Sequence, residues 1–564
     1  MLHRRHELLL HDVFLITIMG VLAACGLIYE YLLSHYAGRV LGAVESTIFT
    51  MIGLMIVSMG IGSFLARAFK EPFTAFVWLE SLIALLGISC VLLIASLVAF
   101  TSILPHVIAE TFNIPPDLVP RGGFLASMHR IAILSPYFFG IVIGLFIGME
   151  IPLIARVREA VHGEHLEHNI GTIYGADYLG AGAGAAIWVG LMLSIDVTQA
   201  AVITAVANLL AGLFFLIRYW QRIKFRRVLF SLHGVILLLA IAVYQFGEDW
   251  SADLTDLLYR DEVVFSHTSQ YQNMTVTRRY ISSEKEPLYG FFLNGRLQFS
   301  SNDETIYHGM LVYPAMLAAE KVSNVLIIGG GDGLALRDVL KFEPESITLI
   351  DLDRELVEFF TATDEQLPVY RQALVDLNEH AFSDQRVEVI FGDAFVEVDR
   401  LLARISFYDV ILVDLPDPSH PDLNRLYSDH FYKRLNLLLA SNGVLAVQST
   451  SPYHAKKAFI SIGKTLSISN FNHVEQYRQN IPSFGEWGWS IASKQVGSPR
   501  VKLQRQEISV DHPWLTRDLI VAAFEFPREF FAEADDIEAN KLGTNRIYRY
   551  HTEAWQKELG IYQN

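Results

Sequence analysis

The sequence predicts two unlike parts: a multi-span α-helical membrane domain, then an α/β domain on a parallel sheet with a small antiparallel β module at its start. Three observations support this prediction. Of the 564 residues, 52% are hydrophobic and only 18% are charged, whereas soluble proteins carry about 25% charged residues. The long apolar runs all lie in residues 1–250. Beyond them, short apolar runs alternate with helix-length segments, as in βαβ units.

Charge divides along the same line as hydropathy. Residues 1–250 carry 14 Lys and Arg against 16 Asp and Glu, a net charge of −2, so the remaining 314 residues carry −14 of the total of −16. Because there is no basic excess to neutralise phosphates, we expect no nucleic-acid partner. Two cysteines, Cys25 and Cys90, are too few for a disulfide framework or a cysteine-rich metal site.

Seven apolar runs are long enough to cross a bilayer, which takes roughly 20 residues. They lie at 13–34, 46–66, 74–100, 131–155, 174–194, 198–217 and 228–246. Seven in succession disfavour the alternative of buried helices in a soluble protein. Ionisable residues inside a membrane span are energetically costly, and Glu30, Glu150 and Asp177 lie inside the predicted spans. They suggest either a polar site for a cation or lipid headgroup, or protonated carboxyls that form hydrogen bonds between helices. We favour the hydrogen bonds.

The soluble half begins with a β-rich stretch. Residues 251–310 alternate in polarity around an Asn-Gly turn, which predicts a small antiparallel module. In residues 311–500, the runs NVLIIGG, ITLIDLD, VEVIFGD, YDVILVDLPD and GVLAVQST predict the strands of a parallel sheet. Residues 501–564 form a C-terminal extension to which the sequence assigns no role.

Glycines and carboxylates follow these strands, at the edge where open α/β sheets bind ligands. The first strand runs into Gly329, Gly330, Gly331 and Asp332, which form neither the phosphate-binding loop of nucleoside triphosphatases nor the dinucleotide fingerprint. Glycines there allow a tight turn and close approach of a ligand.

Two further strand ends complete a nucleoside pocket. Asp351 ends the second strand, where a carboxylate can accept both ribose hydroxyls. Asp393 and Ala394 follow the third strand, where a carboxylate can accept from an adenine amino group. With no phosphate cradle, S-adenosylmethionine and its relatives fit this set.

The fourth strand ends in two carboxylates, Asp414 and Asp417. They suit a cationic amine, which they could attract and deprotonate. The alternative is a loop in which an aspartate caps a helix and Pro418 fixes the turn.

At these residues the sequence resembles the polyamine aminopropyltransferases (spermidine synthases), in the bacterial branch with an N-terminal multi-span membrane domain. The matching stretches are SQYQNMTV, LNGRLQFSSNDETIYHGMLVYP, VLIIGGGDGLALRDVL, LIDLD, GDAF, YDVILVDLPDPSHPDLNRLYSDHFY and IPSFGEWGWSIAS, with GMEIPLIAR and YGADYLGA in the membrane half. The resemblance implies a Rossmann-like, S-adenosylmethionine-methyltransferase-like fold. It also implies transfer of the aminopropyl group of decarboxylated S-adenosylmethionine to an amine, typically putrescine, giving spermidine and 5′-methylthioadenosine with no metal.

The resemblance also implies roles for individual residues. Asp414 would be the general base, Tyr307 would orient the amine, and Asp417 would hold its second ammonium. The carboxylate of Asp332 would favour the decarboxylated donor, because it repels the carboxylate of ordinary S-adenosylmethionine. The positions expected to bind the donor are Gln272, Gln298, His308, Gly329, Gly330, Gly331, Asp332, Asp351, Asp393 and Ala394.

Departures from the family pattern cluster on the amine side. Gly309 stands where the family commonly has Glu, and residues 420–424 replace a Gly-Pro-Ala-Glu-Ser loop with one residue inserted. Phe484 stands for a family tyrosine and Thr450 for a carboxylate. The donor is therefore better defined than the acceptor.

Other functions stay open at this point. The same donor chemistry could act on another, membrane-associated amine, the chain could be a methyltransferase, or it could be a non-catalytic polyamine transporter or sensor. We expect an inner-membrane protein in contact with the lipid bilayer, and the resemblance implies a homo-oligomer.

The side on which the catalytic domain lies raises a conflict. Lys and Arg concentrate at the N-terminus and in the loops after spans two, four and six, which places the N-terminus in the cytoplasm. Seven spans would then export the catalytic domain, although its donor is cytosolic. We expect the segment 228–246 to be only half-embedded, so that the domain stays in the cytoplasm.

Overall fold

The computed structural model describes residues 2–41, 44–114, 123–163, 168–259, 261–282, 286–362, 367–508 and 510–558. The chain divides into two compact units, Met1–Arg260 and Asp261–Asn564. The division lies close to the boundary expected at residue 250.

The first unit is helical throughout its described length, apart from short connections. Its helices are α1 Leu2–Leu41, α2 Val44–Leu65, α3 Pro72–Thr111, α4 Gly123–Ile133, α5 Ser135–His162, α6 Asn169–Gly190, α7 Val197–Arg218 and α8 Arg226–Asp256.

Each of the seven predicted apolar runs lies largely within one long helix, and α4 is an additional short one. Within the described residues, six helices are long and apolar enough to cross a membrane: α1, α2, α3, α5, α7 and α8. The long helix outside this set is α6, whose glycines and Asp177 dilute its apolar character. The segment 228–246, expected to be half-embedded, lies in α8, which belongs to the six.

Small residues allow α6 to pack directly against α1. A Cβ on Gly180 would lie 2.1 Å from the carbonyl oxygen of Gly20, and one on Gly184 would lie 2.5 Å from that of Ala24. Backbones come this close only where side chains are minimal, as is typical of helix packing in membranes.

The second unit begins with a four-stranded antiparallel sheet in the order β1-β2-β3-β4. Asn294 and Gly295 join β3 to β4 with φ angles of 49° and 75°, the left-handed conformations that a two-residue hairpin turn requires. The strands are β1 Glu262–Thr268, β2 Asn273–Arg279, β3 Leu288–Leu293 and β4 Arg296–Ser300.

A seven-stranded sheet follows, in the order β10-β11-β9-β8-β5-β6-β7. Strands β5 to β9 are parallel, and β11 is antiparallel to both of its neighbours. The strands are β5 Asn324–Gly329, β6 Ser346–Asp351, β7 Val387–Phe391, β8 Tyr408–Asp414, β9 Leu439–Gln448, β10 His473–Ile481 and β11 Gly485–Ser493. The central strands are buried on both faces because helices cover the sheet.

The helices of this unit are numbered onward from the first. They are α9 Glu304–Ala318, α10 Leu334–Leu340, α11 Arg354–Phe359, α12 Val369–Leu377, α13 Ala394–Ala403, α14 Pro421–Asn424, α15 Asp429–Leu438, α16 Lys456–Ser467, α17 Pro499–Arg505, α18 Arg517–Ala522 and α19 Arg546–Glu558. Residues of the C-terminal extension belong to the core. Ile520 and Phe524 pack in the cluster that includes Trp489, and Ile547 packs with Tyr427.

Candidate active site

The site lies where the strand order reverses. From β5 the chain proceeds to β6 and β7 on one side and then crosses to β8 on the other, and ligands bind open α/β sheets at such a point. The backbone at this crevice requires a glycine at position 329. Its φ is 81°, and a Cβ there would lie 2.0 Å from the carbonyl oxygen of Asp414. The N–H of Gly330 donates to that same oxygen at 3.2 Å.

The glycine turn and the end of β6 meet on the donor side. Asp351 is 8% exposed, its carboxylate lies against the backbone of Gly331, and burial raises its pKa to about 7. Asp332 accepts from the N–H of Leu334 at 2.9 Å. Burial raises the pKa of Asp332, and the charge of His308 opposes that rise.

The two predicted glutamines differ in their surroundings. Gln272 donates to Oδ2 of Asp353 at 3.0 Å, and Ser269 donates to the same oxygen at 2.6 Å. Asp353 also caps α11, so it joins the β module to the end of β6. Gln298 donates to the carbonyl oxygen of Arg296 at 3.1 Å, a contact within its own strand.

The Asp393 carboxylate makes two structural contacts at the end of β7. Its Oδ1 caps α13 by accepting from the N–H of Phe395 at 3.0 Å, and its Oδ2 accepts from Arg425 at 2.6 Å. Ala394 begins α13 and is 8% exposed. The Arg425 guanidinium also lies 5.4 Å from the centre of the Phe395 ring. Sequence reasoning missed Arg425, which lies 32 positions from its partner.

Tyr307 and Asp414 form a direct pair. The Tyr307 hydroxyl donates to Oδ1 of Asp414 at 2.7 Å. Burial raises the pKa of Asp414 to about 6, with Asp332 adding to the rise and His308 and the Tyr307 hydrogen bond opposing it. Burial and the Asp414 charge raise the pKa of Tyr307, so its hydroxyl stays protonated and orients the carboxylate. A base with a pKa near the working pH suits proton abstraction.

A buried ionic network supports this pair from α9 and α10. Glu304 is fully buried and accepts from Arg337 at 2.7 and 3.1 Å. Nδ1 of His308 lies 2.9 Å from Glu304, and Arg337 also pairs with Asp338 at 3.0 Å. Burial alone would lower the pKa of His308, but Glu304 and the nearby Asp332 raise it to about 9. His308 is therefore a buried cation near both Asp332 and Asp414. Sequence reasoning missed Glu304 and Arg337, because charged residues on an apolar helix give no sign of a shared partner.

The side of the site expected to bind the amine contains Asp417. Its Oδ2 lies 3.2 Å from Nε2 of His551, and its Oδ1 is buried without a hydrogen-bond partner among the described residues. His551 comes from the extension to which the sequence assigned no role, and no motif marks it.

The positions that depart from the family pattern differ in their surroundings. A Cβ on Gly309 would lie 2.7 Å from Nε2 of His512, so an imidazole occupies the space beside the missing side chain. The Phe484 ring contacts that of Tyr307, with 6.0 Å between centroids. Thr450 takes a left-handed φ of 58°.

The helical unit contains the three carboxylates predicted within apolar runs. Glu150 is 1% exposed, and neither of its oxygens has a hydrogen-bond partner among the described residues. Glu30 and Asp177 are half-buried. Glu80, which sequence reasoning missed, is fully buried and accepts from Asn208 at 2.6 Å. A carboxylate in the middle of the third apolar run was the signal that could have found it.

Known proteins match the chain along most of its length. The Spermine/spermidine synthase domain family matches residues 304–505. A polyamine aminopropyltransferase of Shewanella oneidensis is 52% identical over 556 residues, which cover 98% of this chain and 96% of the relative. This chain belongs to the polyamine aminopropyltransferase family.

Two further relatives match at lower identity. One from Oceanobacillus iheyensis is 32% identical over 542 residues, covering 95% of this chain and 96% of the relative. The crystal structure of a spermidine synthase in complex with the transition state analogue AdoDATO is 24% identical, with a TM-score of 0.42, and covers 48% of this chain and 88% of that chain.

Family membership confirms three predictions. The chain is an enzyme, its reaction is aminopropyl transfer, and decarboxylated S-adenosylmethionine is the substrate that the family uses as donor. The Rossmann-like fold of the C-terminal part is confirmed as well.

Proposed function

We propose that this aminopropyltransferase acts on putrescine and produces spermidine and 5′-methylthioadenosine. The observation that supports a diamine is the pair of carboxylates at the end of β8 and just beyond it. Asp414 is oriented by Tyr307, and Asp417 keeps one buried oxygen without a partner among the described residues. Two carboxylates match the two ammonium groups of a diamine.

In the proposed reaction, Asp414 takes a proton from the nearer ammonium, because an ammonium has no lone pair. The freed amine attacks the carbon next to the sulfonium, a C–N bond forms, and the C–S bond breaks with its electron pair going to sulfur. Tyr307 holds the Asp414 carboxylate in place, while Asp417 holds the far ammonium.

The donor would lie across the ends of β5, β6 and β7. Asp351 would accept the ribose hydroxyls, Asp393 and Ala394 would face the adenine, and Asp332 would pair with the aminopropyl ammonium. Gln272, Gln298, His308 and the turn Gly329–Gly331 would complete this side. The buried cation at His308 keeps the total charge among these carboxylates low enough for them to share one crevice.

We propose that the protein is a multi-pass protein of the bacterial inner membrane with its catalytic unit in the cytoplasm. Six crossings would return the chain to the side of the N-terminus, which the basic residues there and in the loops after α2 and α5 mark as cytoplasmic. The basic loop between α7 and α8 would then lie on the opposite side. A fluorescent reporter and a phosphatase fused at Asn564 test this. Fluorescence without periplasmic phosphatase activity is expected, and the reverse would refute it.

The reaction is tested on the purified full chain in detergent. Putrescine is supplied with either decarboxylated or ordinary S-adenosylmethionine, and products are measured by mass spectrometry. We expect an added aminopropyl group with the decarboxylated donor only. A gain of a methyl group, or binding of putrescine without turnover, would overturn the proposal, and turnover of a different amine alone would overturn the acceptor.

The role of Asp414 is tested by Asp414→Asn, which keeps the shape but cannot accept the proton. Loss of a general base costs roughly 10²- to 10⁴-fold in rate, so kcat should fall by about that factor while 5′-methylthioadenosine still binds. Activity within about threefold of wild type would show that another group is the base.

A further inference from the structure

Helix α19 brings His551 to the amine side of the site. His551 is 1% exposed, and its Nε2 lies 3.2 Å from Oδ2 of Asp417, whose other oxygen has no partner among the described residues. The synthase domain family matches residues 304–505, so His551 lies outside the matched segment. One oxygen of Asp417 is thus held by the protein and the other is left for a ligand.

Trp555 competes for the same imidazole nitrogen. Its indole Nε1 lies 3.0 Å from Nε2 of His551. A single imidazole nitrogen either carries a proton or accepts one, so Nε2 cannot donate to Asp417 and accept from Trp555 at once. Trp555 itself stacks on His454, with 5.7 Å between ring centroids.

The same helix is tied to the loop that departs from the family pattern. The N–H of Tyr548 donates to Oδ1 of Asn424 at 3.2 Å, and Nδ2 of Asn424 donates to Asn545 at 3.2 Å. Asn540 donates to the carbonyl oxygen of Asn424 at 3.0 Å. The loop and α19 therefore hold each other in place around Asp417.

We propose that His551 is a specificity-determining residue, which holds one oxygen of Asp417 and fills the space beyond it. The site then takes a short diamine whose second ammonium ends at the free oxygen of Asp417. A triamine would have to displace the imidazole, so it is a poor acceptor. This inference rests on the proposed function, because it requires Asp417 to bind the far ammonium.

Acceptor kinetics of the full chain test the proposal. His551→Ala removes the ring, His551→Gln retains a hydrogen-bonding group, and Glu553→Gln changes an exposed position of the same helix. A hydrogen bond to a charged group accounts for a factor of roughly 10 to 100. His551→Ala should therefore raise the KM for putrescine about tenfold or more, leave the KM for the donor unchanged, and raise turnover of spermidine relative to putrescine. His551→Gln should recover part of this loss, and Glu553→Gln should behave as wild type.

The outcomes separate this proposal from the function on which it rests. If wild type transfers no aminopropyl group, the proposed function fails. If wild type is active and His551→Ala keeps the wild-type acceptor preference, only the role of His551 is overturned. If His551→Ala no longer binds 5′-methylthioadenosine and so is not folded, Trp555→Phe is used, which removes the indole N–H donor and keeps a smaller aromatic ring. The imidazole is then free to donate to Asp417, so a shift of acceptor preference toward putrescine, opposite to that of His551→Ala, is expected, and no change would overturn the proposal.

Discussion

Removing the Tyr307 hydroxyl should move the pH dependence of the reaction. In Tyr307→Phe, Asp414 loses the hydrogen bond that helps to lower its pKa, while the burial that raises it to about 6 remains. A hydrogen bond to a charged group is worth roughly 1.5–3 kcal/mol, and one pKa unit corresponds to about 1.4 kcal/mol. The pKa of Asp414 should therefore rise by about one to two units.

The sign of the effect follows from the role of a base. In the proposed reaction Asp414 acts as the carboxylate, so activity should be lost as the pH falls through its pKa. At pH 7, about 90% of the wild-type groups are ionised, against roughly 10–50% in the variant. The variant should therefore be about two- to ninefold slower at pH 7 from ionisation alone, and this part of the loss should vanish at pH 9.

The assay is kcat/KM for the acceptor between pH 5 and pH 9 with saturating donor, using the same amine throughout so that its own titration cancels. Tyr432→Phe is the control, because the buried Tyr432 hydroxyl has no hydrogen-bond partner among the described residues. Profiles of wild type and Tyr307→Phe that differ by a constant factor at every pH would refute the reasoning.

Two other substitutions test the donor side and the buried network. Asp351→Asn should weaken the binding of 5′-methylthioadenosine at pH 8. Wild-type affinity should fall as the pH drops below the Asp351 pKa of about 7, and calorimetry that shows affinity independent of both changes would contradict this. Glu304→Gln should lower the stability by about 3–5 kcal/mol, because it leaves Arg337 buried with one carboxylate fewer. As a control, Glu262→Gln breaks an exposed ion pair with Arg278. This substitution should change the stability by about 1 kcal/mol or less. Equal thermal midpoints for these two variants would show that the buried network adds no stability.

The sequence predicted those features that a local pattern encodes. Apolar runs predicted the helices and strands, and the carboxyl ends of the parallel strands identified Asp351 and Asp414, because chain direction alone places them on one edge. Contacts between residues that lie far apart in the sequence could not be predicted in this way. His551 lies 134 positions from Asp417. Glu304 on α9 pairs with Arg337 on α10. No periodicity links residues so far apart, and the same residue types occur on any solvated surface.

The close packing of α1 against α6 has a consequence for biosynthesis. Gly20 and Ala24 lie early in the chain, whereas their partners Gly180 and Gly184 are made only after four intervening helices. Because chains are synthesised from the N-terminus, α1 of a protein inserted as proposed above would wait with its small-residue face uncovered until α6 is made. Chains that stop before α6 should therefore be recognised and degraded as incomplete, even though five of their helices have already formed.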